Sequence, residues 1–330
     1  MNPERPRPDR TPTAGAANGG FVVEAGGSVP GLARPAFTLH QPAAARVPVI
    51  IAVPHAGRAY SPDLMGCMRH PAETPLRLED RFVDAVAREV ASSCGAQMLV
   101  AHAPRAMIDL NRDPRDFDLA MFSGSEAEKA AMRRDMPRGG AQSARSLRGL
   151  GLFPRRLAGI GELWRAPMRP VDAQHRIAAI HAPYHDTLAR VLAEIREIWG
   201  AALLVDMHSM PDLPHGAAGI TPATHVIGDR FGASCGRDVV AAAMGALDRA
   251  GAACAYNRPY AGGYVLDRHG KPRSGIHAVQ VEIARSLYLD EALEQPGNGV
   301  ERQAKIVAEM VKAMAAMIDT SGDALSQAAE

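Results

Sequence analysis

The stretch Leu203–Pro211, LLVDMHSMP, joins a short apolar run to polar side chains at its end. The run is too short and stops too abruptly for a helix, so it predicts a buried β-strand. Asp206 and His208 are two residues apart and therefore share one face of that strand, opposite Met207. Because ligands of open α/β sheets bind at the carboxyl ends of strands, His208, with a carboxylate that could orient it, suits a metal ligand or a general base. On this stretch alone, a core histidine bonded to a neighbouring carbonyl is an equally good interpretation.

A second apolar run, Val47–Val53, also leads to a histidine, His55, in a turn that reads PHAGR. Two histidines at the ends of different strands can converge on one point, whereas His55 alone would be interpreted as an exposed turn residue.

A helix predicted at Leu76–Ala91 carries Glu79 and Asp80 near its start. Acidic side chains in a first helical turn usually cap free N–H groups. Capping readily explains one acidic residue at this place, but it explains two less well.

The segment Pro104–Pro114, PRAMIDLNRDP, places Asn111 and Arg112 after a short apolar run. An arginine can hold a carboxylate through two parallel hydrogen bonds, so the pair suits a substrate carboxylate. A structural salt bridge between Arg112 and a nearby aspartate is about as good an explanation.

The helix predicted at Asp172–Trp199 carries His181 and His185 four residues apart on its apolar stripe. A histidine pair at that spacing can bind zinc. However, Pro183 lies between them and the glutamate of an HExxH motif is absent. Packing, or a substrate contact at the edge of a pocket, is therefore favoured over metal binding.

The last core strand is predicted at Gly275–Leu287, where Gln280 and Glu282 face away from the neighbouring valines. A carboxylate at the carboxyl edge of a core strand is a candidate general base. The alternative is an ordinary edge glutamate paired with Arg285. Upstream, the adjacent glycines of YAGGY predict a tight loop whose backbone approaches a ligand or another chain.

Composition excludes several classes of partner. The 330 residues include 37 basic and 36 acidic side chains, a net charge of +1 that gives no electrostatic reason to expect nucleic acid or an anionic membrane. No apolar run approaches the length of a membrane-spanning helix, which needs about 20 residues. Four scattered cysteines without zinc-site spacing favour a reduced, cytoplasmic protein. Residues 1–20 are predicted to be a disordered tail and 21–330 a single α/β domain, with 116–170 an irregular insertion or lid.

Eight motifs, in order from about residue 47 to 290, resemble those of the N-formylglutamate amidohydrolase family. They are VPHAGRAY, EDRFVD, IDLNRDP, HAPYH, VDMHSMP, GDRFG, YAGGY and VQVEIARSLY. The family is in turn similar to zinc carboxypeptidases, whose zinc site lies at the carboxyl edge of the sheet. The resemblance implies an α/β fold with a mixed, mostly parallel central sheet flanked by helices, a three-layer α/β/α arrangement of the zinc-carboxypeptidase or phosphorylase/hydrolase kind.

The resemblance also implies a site. His55 and His208 are then the zinc histidines, and Glu282 is the base that activates water. The acidic ligand of carboxypeptidases has no counterpart, because Arg58 occupies its position, so Asp80 is expected as third ligand with Glu79 as the fallback. Residues expected to contact substrate are Asn111, Arg112, Arg58, His185, Tyr264 and Arg285.

The implied reaction converts N-formyl-L-glutamate and water to formate and L-glutamate, a step of histidine degradation, with one divalent metal, expected to be Zn²⁺. Two alternatives stay open: a related amidase or peptidase acting on another N-acyl amino acid, and a binding module that keeps the fold without catalysis. The expected partner is a small N-acylated amino acid, and a homo-oligomer is compatible with the sequence.

Overall fold

Eight strands form one mixed sheet at the centre of the computed structural model, which describes residues 20–134, 143–214 and 221–327. The predicted tail therefore lies outside the described residues, except for Gly20. The ten strands are β1 (Phe21–Gly26), β2 (Phe37–Pro42), β3 (Val49–Val53), β4 (Gln97–Ala101), β5 (Arg156–Leu157), β6 (Gly161–Glu162), β7 (Ala202–Met210), β8 (His225–Gly228), β9 (Cys254–Tyr256) and β10 (Ile276–Ala284). Strands β5 and β6 form a separate small hairpin.

The large sheet has the strand order β1-β2-β4-β3-β7-β10-β8-β9. Its centre, β4-β3-β7-β10, is parallel throughout, while β2 and β8 pair antiparallel with β4 and β10. This confirms the predicted mixed, mostly parallel sheet. The parallel centre brings the carboxyl ends of β3, β7 and β10 to one edge.

Helices cover both faces of the sheet and complete the predicted three layers. They are α1 (Pro62–Gly66), α2 (Glu73–Leu78), α3 (Val83–Cys94), α4 (Glu126–Arg134), α5 (Ala144–Leu147), α6 (Pro170–Arg176), α7 (Ala182–Trp199), α8 (Arg237–Arg249), α9 (Tyr264–His269) and α10 (Val300–Gln327). One core contains buried side chains of α3, α8 and α10, and the other contains those of α7 and of the chain between β4 and α6. In the described ranges, none of these helices is both long and apolar enough to cross a membrane.

Strand β7 shows why the sequence of a central strand is mostly apolar. All nine of its residues are buried, because both faces are covered. Leu203, Val205 and Met207 belong to the core beneath α3, α8 and α10, and Leu204 to the core beneath α7. Asp206 and His208 continue the face of Leu204, so the α7 side of the sheet carries the polar end of the strand.

The helix predicted at Leu76–Ala91 is wrong, because the structure has two helices, α2 and α3, separated at Glu79–Phe82. Phe82 has a left-handed backbone, with φ of 55°, which interrupts the helical path. The main-chain N–H of Asp80 donates to the carbonyl of His55 at 3.0 Å. The break therefore ties Asp80 to the turn after β3 instead of leaving it in a helical first turn.

The region 116–170, expected as an irregular insertion or lid, contains α4, α5, the β5-β6 hairpin and buried aromatic side chains. Phe122 packs edge-to-face against Phe117 and Phe153, with ring centroids 5.4 and 5.9 Å apart. These aromatic rings join the core beneath α7. Residues 135–142 of the region lie outside the described part of the chain.

Candidate active site

A cavity of about 150 Å³ opens at the carboxyl ends of β3, β7 and β10. It is lined by His55, Arg77, Asp80, Arg105, Asn111, Arg112, Arg145, His208, Ser209, Pro211, Tyr260, Gly262, Gly263, Gln280, Glu282 and Arg285. Its position matches the general location of ligand sites in open α/β sheets.

Strand register places the polar ends of β7 and β10 side by side. In this parallel pair Gln280 lies opposite Asp206, and Glu282 lies opposite His208. Alternation along each strand then directs all four side chains to the α7 face. Two sequence motifs 74 positions apart, counted from His208 to Glu282, thus become one side of a single cavity.

Two imidazoles and one carboxylate converge in this cavity. The Oδ2 atom of Asp80 lies 3.0 Å from Nδ1 of His208 and 3.4 Å from Nδ1 of His55. In the described part of the chain, these three residues form the one group of histidine, cysteine or acidic side chains whose ligand atoms, all within 4.8 Å, could hold a metal ion. All three side chains are buried.

The outer nitrogen of each imidazole is bonded to a further carboxylate. Nε2 of His55 lies 2.6 Å from Oδ1 of Asp109, and Nε2 of His208 lies 2.9 Å from Oδ2 of Asp206. A carboxylate at Nε2 orients the ring and favours the proton there, so Nδ1 is the nitrogen that a metal ion could bind. The orienting role of Asp206 was expected from the sequence; that of Asp109 was missed, although it lies only two residues before Asn111.

The surrounding carboxylates control the charge of the group. Burial by itself would raise the pKa of Asp80, but the adjacent rings of His208, to which it is hydrogen-bonded, and of His55 hold that pKa well below its usual value. Burial would lower the pKa of His208, but Asp206 and Asp80 outweigh it and raise the pKa well above its usual value. The site therefore stabilises positive charge between the carboxylates.

Of the two acidic residues considered as third ligand, the structure brings Asp80 to the histidines. Glu79 points elsewhere, and its Oε2 forms an ion pair with Arg81 at 3.0 Å. The main-chain carbonyl of Glu79 accepts a hydrogen bond from Arg285 at 2.6 Å, and Arg285 also lies 3.3 Å from Oδ1 of Asp80. Arg285 therefore lines the cavity and supports the segment that carries Asp80.

Glu282 lies beside the group and does not pair with Arg285. Its Oε1 accepts a hydrogen bond from Gln280 at 2.8 Å, and Gln280 in turn accepts one from Asn111 at 3.1 Å. Burial raises the pKa of Glu282 to about 7, in spite of the opposing effect of His208. A carboxylate with a pKa near neutrality is suited to accept and return a proton.

Asn111 is held rigidly at the other side of the cavity. Its Oδ1 accepts a hydrogen bond from the main-chain N–H of Val265 at 2.9 Å. Gly263 passes so close that an added Cβ would lie 2.6 Å from Oδ1 of Asn111, which explains the need for glycine there. The close approach predicted for the YAGGY loop is therefore one to a side chain of the same protein.

Arginine is the commonest residue around the cavity. Arg112 donates from Nε to the carbonyl of Leu150 at 3.0 Å and lies 3.9 Å from Asp109, so the predicted aspartate contact exists only at long range. Arg105 makes the close ion pair with Asp109, at 2.9 Å. Arg105, Arg77 and Arg145 were not expected here, because nothing in the local sequence pattern places them at this edge of the sheet.

Three of the expected substrate contacts lie outside the cavity. The guanidinium of Arg58 is held by two 2.9 Å hydrogen bonds to Asp84 and packs on the ring of Phe82. His185 is fully buried and bonds to the carbonyl of Leu110 at 2.9 Å. Tyr264 lines a wider adjoining groove that shares Asn111, Arg112 and Arg145 with the cavity.

Comparisons with known proteins agree with one another. The model of the family described as N-formylglutamate amidohydrolase matches residues 47–289. An N-formylglutamate deformylase from Pseudomonas aeruginosa is 31% identical over 252 residues, which is 74% of this chain and 84% of that protein. Its counterpart from Pseudomonas putida is 31% identical over 248 residues, 74% and 83% of the two chains.

Solved structures show the same relationship. The crystal structure of an N-formylglutamate amidohydrolase from Ralstonia eutropha JMP134 matches with a TM-score of 0.74 and 26% identity, over 86% of this chain and 99% of that one. A gene product of Agrobacterium tumefaciens has the same fold, with a TM-score of 0.60 and 19% identity, over 86% and 96% of the two chains.

Proposed function

This chain belongs to the N-formylglutamate amidohydrolase family and is thus a hydrolase of C–N bonds, and we propose that it converts N-formyl-L-glutamate to formate and L-glutamate by a metal-dependent reaction. The observation that carries the proposal is the His55, Asp80 and His208 group next to Glu282, in a cavity lined by arginines. The two Pseudomonas relatives carry the name of the same activity.

The donor set fits a divalent metal, and we propose Zn²⁺. Two imidazole nitrogens and one carboxylate oxygen are the usual protein ligands of a catalytic zinc ion. Among the described residues, the buried Nδ1 of His55 has no hydrogen-bond partner, which would be costly unless a ligand is bound there. When bound, such an ion polarises a carbonyl group and lowers the pKa of a water molecule.

Glu282 is proposed as the general base. Its carboxylate accepts a proton from the attacking water and delivers that proton to the nitrogen of the leaving amine. The hydrogen bond from Gln280 holds one carboxylate oxygen in place, at 2.8 Å. This fixed orientation supports proton transfer because the acceptor need not be reorganised during the reaction.

Asn111 and Arg112 are proposed to hold a substrate carboxylate, with Arg285 as a further contact on the cavity wall. Arg112 uses Nε for Leu150, and within the described ranges its two terminal nitrogens have no hydrogen bond. A guanidinium with both terminal nitrogens available can grip a carboxylate through two hydrogen bonds. Binding at this point would orient the formyl group, so that position supplies much of the rate.

The setting of the reaction is a further part of the proposal. All four cysteines are unpaired, which supports a reducing compartment such as the cytoplasm. Glutamate and formate as products would suit a step in histidine degradation.

The test combines metal analysis with a substrate panel of N-formyl and N-acetyl amino acids. We expect about one divalent metal ion per chain and hydrolysis of N-formyl-L-glutamate that disappears when the metal is removed and returns when Zn²⁺ is added. A preference for N-acetyl substrates would indicate the related amidase instead. Activity that survives complete metal removal would contradict the metal-dependent mechanism.

Replacing Glu282 tests the base. Glu282→Gln removes the proton acceptor and keeps the shape, so kcat should fall about 10²–10⁴-fold, the usual contribution of general acid–base catalysis. Metal content should stay near that of the wild type. Loss of the metal would make Glu282 a ligand, and unchanged activity would move the base elsewhere, with Asp206 the next residue to replace.

A further inference from the structure

The cavity holds more cationic groups than its own carboxylates neutralise. Among its arginines, Arg105 pairs with Asp109, and Arg285 is bonded to the segment that carries Asp80. Arg77 and Arg145 differ, because both are exposed and neither guanidinium has a hydrogen bond or ion pair in the part of the chain that the structure describes. They are therefore available to an anionic ligand.

Arg145 is positioned by the same short segment that positions Arg112. The carbonyl of Arg145 accepts a hydrogen bond from the main-chain N–H of Leu150 at 2.8 Å, and the carbonyl of Leu150 accepts one from Nε of Arg112 at 3.0 Å. The start of α5 is held in turn by Ser143, whose hydroxyl donates to Asp116 at 2.7 Å and accepts from the N–H of Ser146 at 3.0 Å. The same segment therefore anchors the main chain of Arg145 and the guanidinium of Arg112.

The electrostatics of Arg112 show that it lacks a full counter-charge. Burial lowers its pKa, and Arg105 and Arg145 lower it further, while Asp109 only partly offsets them. Arg145 is thus close enough to Arg112 for their like charges to interact. It also lines the groove that adjoins the cavity, which Arg77 does not. An anion with two negative groups would relieve this excess of positive charge.

N-formyl-L-glutamate carries two carboxylates, and the proposed function uses Arg112 for only one of them. Resting on that proposed function, we propose that Arg145 binds the second carboxylate and selects N-acyl amino acids with an acidic side chain. A second carboxylate placed between Arg112 and the groove would meet Arg145 at the rim. A neutral side chain there would leave the guanidinium in water, with no gain in binding.

The experiment compares N-formyl-L-glutamate with N-formyl-L-glutamine, which has nearly the same shape without the second charge. Wild-type protein should prefer the glutamate substrate. Arg145→Gln should reduce kcat/KM for that substrate by about 10- to 100-fold, the range expected for one charge-assisted hydrogen bond, and change kcat/KM for the glutamine substrate by less than about twofold. Arg148→Gln is the matched control, because Arg148 is exposed at the end of α5 and lines neither the cavity nor the groove, and it should keep the wild-type preference.

The outcomes separate this proposal from the one on which it rests. Equal losses on both substrates in Arg145→Gln, or loss of the preference in Arg148→Gln, would overturn the assignment of Arg145. Wild-type hydrolysis of both substrates at equal rates would do the same without touching the deformylase activity. Hydrolysis of other N-acyl amino acids but not N-formyl-L-glutamate would instead overturn the proposed function.

Binding without turnover gives an independent measurement. Calorimetric titration with glutarate and with its monoamide should show a preference for glutarate in the wild type and in Arg148→Gln. That preference should be lost in Arg145→Gln. Equal binding of both compounds by the wild type would contradict the second anion site. Because Arg145 is exposed, an unchanged melting temperature is expected for the variant.

Discussion

The protein contains two groups of buried histidines that differ in their neighbours. The carboxylate-bound pair, His55 and His208, lies among Asp80, Asp109 and Asp206. The interior cluster, defined as His181, His185 and His269, lies behind the cavity wall and bonds to main-chain carbonyls and to itself. The rings of His185 and His269 stack with their centroids 5.3 Å apart. The two groups are thus similarly buried, but the first has carboxylates as partners and the second has main-chain carbonyls and other histidines.

The carboxylates decide the charge of each group. In the interior cluster, burial lowers the pKa of His181 to about 4 and that of His269 to about 3. Because a carbonyl can only accept, Nε2 of His185 carries its proton toward Leu110, and Nδ1 is left to accept from Nε2 of His269 at 3.0 Å. For His208, by contrast, Asp206 and Asp80 raise the pKa despite burial. The carboxylates therefore favour the charged form of His208, whereas burial favours the neutral form of the interior cluster.

The largest difference between the groups should appear when one residue of each is changed to glutamine. His208→Gln keeps a donor toward Asp206 but loses the inner nitrogen, so we expect near-complete loss of the metal and a fall in kcat on the order of 10³-fold or more. His185→Gln likewise keeps the outer hydrogen bond and should retain the metal. Metal content and kcat of the two variants are measured side by side.

Two results would erase the distinction. A full complement of metal in His208→Gln would mean that the carboxylate-bound pair is structural. Metal loss in a folded His185→Gln protein would mean that the interior cluster contributes ligands. Melting temperatures of both variants establish whether each is folded.

A smaller effect is expected when the orienting carboxylate is neutralised. Asp206→Asn keeps the size of the side chain but weakens its hold on Nε2 of His208, which it contacts at 2.9 Å. Metal affinity should fall about 10- to 100-fold, which is the usual loss when a hydrogen-bond partner of a metal-bound histidine is replaced. Competition with a chelator measures the affinity. An unchanged metal affinity would show that Asp80 alone orients the ring.

The smallest effect concerns acid stability and depends on the interior cluster. His181 and His269 have folded-state pKa values below the ordinary 6.5, so protons bind the unfolded chain more strongly. This contribution to stability is complete above pH 6.5 and is lost as the pH falls from about 6.5 toward about 3. His269→Gln should therefore flatten the decline in the free energy of unfolding over that range, as followed by urea denaturation.

The control for this prediction is His175→Gln, at an exposed residue of α6. It should leave the pH dependence of stability as in the wild type. A decline equally steep in His269→Gln and the wild type would show that the interior cluster does not sense acid.

Much of the fold was predictable because its signals are local. The apolar runs ending in His55, His208 and Glu282 predicted β3, β7 and β10, since a buried parallel strand needs apolar side chains on both faces. Gly95 ends α3 with a positive φ of 67°, the conformation in which a glycine commonly ends a helix. The prediction failed at Glu79–Phe82, because Phe82 adopts a left-handed backbone that no local pattern announces.

The sequence by itself determined which side chains lie at the strand ends, since alternation along a strand is a property of the backbone. Only the tertiary structure decided how they meet. The pairing of His55 with Asp109, the choice of Asp80 over Glu79, and the place of Arg145 beside Arg112 depend on contacts between distant segments. Such contacts are set by strand register and by packing of the insertion, which a local pattern does not encode. The charge of each histidine is decided at the same level, because it depends on which carboxylates folding brings within reach.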